Sequence, residues 1–60
     1  MDKQYDYNKL REHLIAYFEK GLMAGFQAAK VDLEQVKSAT DEELVEIAEY
    51  QDFEMSEYIK

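Results

Sequence analysis

Sixty residues with no cysteine, one histidine and a formal net charge of −7 exclude disulfides, thiolate zinc sites and a histidine-rich metal site within one chain. A chain this short buries only about 60% of the surface its unfolded form exposes. The staple left to it is self-association, and an apolar content of 47%, with five Tyr, three Phe and three Met, suits that.

Without proline and with only two glycines, the chain has few of the residues that make turns between strands. Good helix formers dominate. The expected fold is all-α: a small bundle of three helices, at about 6–20, 22–37 and 41–50, plus a C-terminal helical turn. Homodimerisation is expected to stabilise it. The first helix is expected to start near Asp6 or Asn8, either of which can cap free N–H groups. Tyr7, Leu10, Leu14, Tyr17 and Phe18 then recur at helical spacing on one face, widened by Ile15.

A second stripe runs Leu22, Phe26, Ala29, Leu33, Val36 at steps of four and three. Heptad steps from Leu10, Leu14 and Tyr17 land on Gly21, not Leu22. The apolar face therefore shifts by one residue, roughly 100° of helix rotation. Either one long helix rotates its buried face there, or the chain breaks into two helices near Gly21–Gly25. The uncharged stretch GLMAGFQAA, closed by Lys20 and Lys30, spans this point. It is far shorter than the roughly 20 apolar residues of a membrane helix. Its small residues suit a bend between helices, a close helix crossing, or both.

Thr40-Asp41-Glu42-Glu43 reads as a capping box, with Asp41 and Glu42 favourably placed at the positive end of the helix dipole. Leu44, Val45, Ile47 and Ala48 give the following helix a buried face to about Tyr50. Lys37-Ser38-Ala39 is the connection before it. Gln51-Asp52 is read as a loop, after which a final turn lays Phe53, Met55, Tyr58 and Ile59 over the core.

Charge is uneven. Residues 1–30 hold five bases and four acids, residues 31–60 two bases and ten acids, and Asp41 to Glu57 holds eight acids and no base. Direct binding to nucleic acid, which draws on Lys and Arg, is not expected, nor is binding to a membrane. A basic protein partner is compatible. Glu42, Glu46, Glu49 and Asp52 form the candidate acidic surface; a solvated face is the plainer reading, and magnesium between two carboxylates a remote one. His13, the one side chain that titrates near neutrality unaided, stands without a nucleophile at a telling distance and is read as a boundary residue. The tyrosines match the apolar stripe and are read as core or subunit interface. No phosphate loop, dinucleotide fingerprint or nucleophile elbow is present, so neither an enzyme nor a cofactor is expected. The polar start MDKQYDYN is unlike a secretory signal, and the expected location is the cytoplasm.

The run YDYNKLREHLIAYF, the small-residue middle, and LEQVKSATDEELVEIA with a closing aromatic together resemble short helical proteins of Gram-positive bacteria and their phages or mobile elements. ATDEELVEIA is the most specific piece. That group has no assigned activity, so the resemblance transfers no functional residue.

Two functions are expected from these features. The first is a non-catalytic protein–protein interaction module, a homo-oligomer or adaptor, with Tyr7, Leu10, Leu14, Phe18, Leu22, Phe26, Leu33 and Val36 as the candidate interface. The second is a phage-type inhibitor whose acidic face over 41–57 imitates DNA toward a nucleic-acid enzyme.

Overall fold

The structure is a computed structural model and describes residues 4–59. It is an all-α bundle of three helices, α1 (Tyr7–Met23), α2 (Ala28–Ser38) and α3 (Asp41–Tyr50), followed by a single 3-10 turn, Met55–Tyr58. Asp6 starts α1 by accepting the Lys9 N–H at 3.1 Å. Leu10, Leu14 and Phe18, at steps of four, form its buried face.

The break falls later than the apolar pattern suggested. Helix α1 does not stop near residue 20 but runs through Gly21 and Leu22, and α2 begins at Ala28, not 22. Gly25 has φ +99°, the left-handed conformation that glycine adopts without a Cβ penalty. The Gly25 N–H donates to the Leu22 carbonyl and the Phe26 N–H to the Gly21 carbonyl, both at 3.0 Å. This is a Schellman ending, with glycine at its left-handed position. The seam from Leu22 to Val36 therefore belongs to two helices, and the phase shift marks a chain reversal.

Helix α2 returns along α1. Its C-terminal end is pinned by Arg11 of α1, whose guanidinium donates to the carbonyls of Val36, Lys37 (3.4 Å) and Ala39 (2.9 Å). These carbonyls lie where helical partners run out. Near the other end, a Cβ built on Gly21 would sit 3.5 Å from the Ala29 Cβ, so small side chains face each other between the two helices.

Helix α3 starts on the expected capping box. The Glu43 N–H donates to Thr40 Oγ1 (3.3 Å) and the Thr40 N–H to Glu43 Oε1 (2.9 Å). The Thr40 backbone N–H on its carboxylate, and then the Thr40 hydroxyl, hold Glu43 below the usual carboxylate pKa. Helix α3 ends like α1: the Asp52 N–H donates to the Glu49 carbonyl (3.1 Å) and the Phe53 N–H to the Ala48 carbonyl (2.9 Å). Here a non-glycine residue, Asp52, takes the left-handed position with φ +61°.

The core joins all four elements. Leu10, Leu14, Val36 and Leu44 are fully buried, with Phe18, Ala29, Ala48 and Tyr58 beside them. Burial of each large side chain contributes about 1.5–3 kcal/mol. The terminal turn closes the bundle: the Asp6 N–H donates to the Tyr58 carbonyl at 2.6 Å and Tyr5 bridges Ile59. Among the described residues, no helix is long and apolar enough to cross a membrane.

Candidate interaction surface

The structure divides the eight apolar residues singled out in the sequence. Leu10, Leu14, Phe18 and Val36 are buried in the chain's own core, and Tyr7, Leu22 and Leu33 are half-buried against it. Phe26 alone of the eight is largely exposed, at 67%. Its position follows from the Schellman ending, which carries the chain away from α1 just before it.

Every residue from Met23 to Ala28 is exposed. Beside this tip lies an open groove of about 480 Å³ between the end of α1 and the start of α2. Gly21, Ala28 and Ala29 line it, and so do the rings of Tyr17, Phe18 and Phe26. The small residues make room and the rings supply apolar surface. Lys20 and Asp32 add one charge of each sign to the lining. Tyr17 is set by two edge-on ring contacts, with Phe18 at 5.3 Å and Phe53 at 5.4 Å between centroids. An aromatic side chain ordered before binding loses little entropy when a partner covers it. Met23 and Val31, at 88% and 57% exposed, extend the apolar character of the tip.

The acidic residues fall into three roles. Glu42, Glu46 and Glu49 are exposed on α3 at steps of four and three, which place them on one helix face. Glu43 is engaged in the capping box. Asp52 is exposed but lies beyond the helix, where it carries the left-handed turn that ends α3. Among the described residues, no group of three or more His, Asp or Glu side chains is placed to hold a metal ion.

Two sets of long-range contacts were revealed by no local pattern. His13 Nδ1 lies 2.7 Å from the Tyr58 hydroxyl, and the two rings meet edge-on at 5.4 Å. Lys9 Nζ stands 5.6 Å from the centroid of the Tyr58 ring. Burial, and then the neighbouring Glu57 charge, push the Tyr58 phenol above its ordinary pKa. The second set is that of Arg11, whose three carbonyl acceptors lie 25 to 28 residues away. Spacing along one helix cannot reveal a partner on another.

Compared with protein families, with curated proteins and with solved structures, the chain matches none.

Proposed function

We propose that the protein is a non-catalytic protein–protein interaction module that binds through the tip of the α1–α2 hairpin. The exposure of Phe26 beside the groove lined by Gly21, Ala28 and Ala29 carries this reading. A large apolar side chain next to a concave, partly apolar surface, with a pre-ordered tyrosine at its edge, supplies the anchor and receptor that binding energy concentrates on. The acidic face is a second reading. It is favoured by the exposure of Glu42, Glu46 and Glu49 and by the lack of any base between Asp41 and Glu57. Its partner would be a basic nucleic-acid-handling enzyme, held by charge and released by salt.

The two surfaces separate in one experiment. A photo-crosslinking side chain is placed at position 26 or at position 49, and adducts formed in cells are identified by mass. Adducts of one discrete protein from position 26 are expected. Adducts from position 49 alone, absent when the irradiation is repeated in lysate at high salt, would transfer the function to the acidic face. Adducts from neither position would overturn both readings.

A further inference from the structure

We infer that the occupant of the hairpin-tip groove is the same groove of a second copy, in a two-fold dimer in which each Phe26 enters the other chain's groove and Lys20 faces the partner's Asp32. This rests on the interaction-module reading and names its partner.

Charge selects the surface. Two chains of −7 repel, and eight of the acids lie between Asp41 and Glu57. None of those eight lines the groove. From Tyr17 to Asp32 the chain carries two acids, Glu19 and Asp32, and two bases, Lys20 and Lys30. The tip is therefore electrically balanced on a strongly acidic molecule, so two copies can approach there without bringing a charge excess together. Charge also selects the arrangement. The groove carries one cation, Lys20, from α1 and one anion, Asp32, from α2. A two-fold axis makes such a surface complementary to itself, because each contact of one residue with another is made twice. The apolar parts pair the same way: each chain offers the largely exposed Phe26 ring at the rim and a groove widened by Gly21, Ala28 and Ala29, with the Tyr17 ring in its wall. A chain of 60 residues without cysteine gains from such a contact what a larger core would otherwise provide.

The test is a charge exchange between chains, read by sedimentation over a concentration series. The natural chain is expected to approach twice its 7.1 kDa mass. Lys20→Asp and Asp32→Lys, each alone, set like charges opposite each other at two symmetric places. Each is expected to weaken self-association by about tenfold or more. An equimolar mixture of the two variants is expected to pair again, because each chain then supplies what the other lacks. Loss of a contact within one chain would not be repaired by mixing. Should Asp32→Lys fail to fold by circular dichroism, the natural sequence gives a second measurement. Isotope-filtered NOEs should connect the Phe26 ring of a labelled chain to the Ala28 methyl of an unlabelled one.

A single-chain mass persisting at millimolar concentration overturns the pairing. If position 26 then still crosslinks to a different protein, the module reading survives without it, and if it crosslinks to nothing, both fall. A dimer indifferent to both charge reversals and lacking the cross-chain NOEs also overturns the proposal, since its seat lies elsewhere.

Discussion

The two ends of the α1–α2 hairpin are built from the same two helices and treat their apolar residues in opposite ways. At the end where α1 begins, α2, α3 and the terminal turn surround it, and Leu10, Leu14, Val36 and Leu44 lose all contact with water. At the tip, α1 and α2 have mainly each other, and Met23, Phe26 and Val31 remain exposed. The closed end spends its apolar surface on folding. The tip leaves apolar surface available for a partner. Hydropathy does not distinguish the two ends; the number of elements within reach does.

The same change made at both ends should have very different effects. Leu14→Ala removes a fully buried side chain and should cost about 2–5 kcal/mol. Small domains have little in reserve, so urea melts should show a protein largely unfolded without denaturant. Phe26→Ala removes a larger side chain from the tip, yet the stability of the isolated chain should move by less than about 1 kcal/mol. If Phe26→Ala unfolds the chain as Leu14→Ala does, the tip is part of the core and the contrast is wrong.

Arg11 tests how the closed end is held. Its guanidinium serves carbonyls at the end of α2 with several donors in a fixed fork. Arg11→Ala is expected to cost about 1.5–3 kcal/mol, the range for hydrogen bonds to a charged group. Arg11→Lys should recover only part of this, because an ammonium cannot span separate carbonyls as the fork does. Equal stability of Arg11→Lys and the natural protein in thermal melts would show that charge alone matters.

At the tip, the same substitution at the two glycines should have opposite signs four residues apart. In Gly21→Ala the new methyl meets Ala29 at an ordinary contact distance of 3.5 Å, and the helix gains about 1 kcal/mol of propensity. In Gly25→Ala nothing obstructs the methyl, but φ +99° imposes a left-handed penalty of about 1–2 kcal/mol. Melting temperatures should therefore rise for the first and fall for the second. A rise in both would mean that the Schellman ending does not depend on glycine.

These residues also show what the sequence made legible. Helix α3 was readable at both limits, because its start signal is local: Thr40 and Glu43 lie three residues apart and bond each other. The three-helix architecture followed from composition and apolar spacing, and the change of phase near Gly21 located the reversal within a few residues. Which glycine ended α1 was not legible. Gly21 and Gly25 look alike until the turn assigns a positive φ to one of them. The division of the apolar stripe into core and exposed tip was equally hidden, since Leu14 and Phe26 differ in which other elements reach them. Asp52 was legible as a loop residue, but its left-handed conformation was not, since no glycine announces it. His13–Tyr58 and Arg11 with the end of α2 are long-range pairs, and a single sequence carries no signal for them.

The smallest expected effect concerns the contrast between the capped start of α3 and the solvated acids that follow it. Glu43 is held below the ordinary carboxylate value of 4.5 by bonds to the Thr40 backbone and hydroxyl. A carboxyl whose pKa is lowered by folding contributes stability above its unfolded value, and that contribution is lost as pH falls through the folded one. Glu43→Gln retains a side chain that can complete the box but cannot titrate in this range. Urea midpoints measured below about pH 4.5 should therefore fall less steeply for the variant than for the natural chain, while the two run parallel above it. Parallel curves across the whole acid range would show that the Glu43 charge adds nothing to the cap, and that the start of α3 rests on the Thr40 hydroxyl and the helix's own packing.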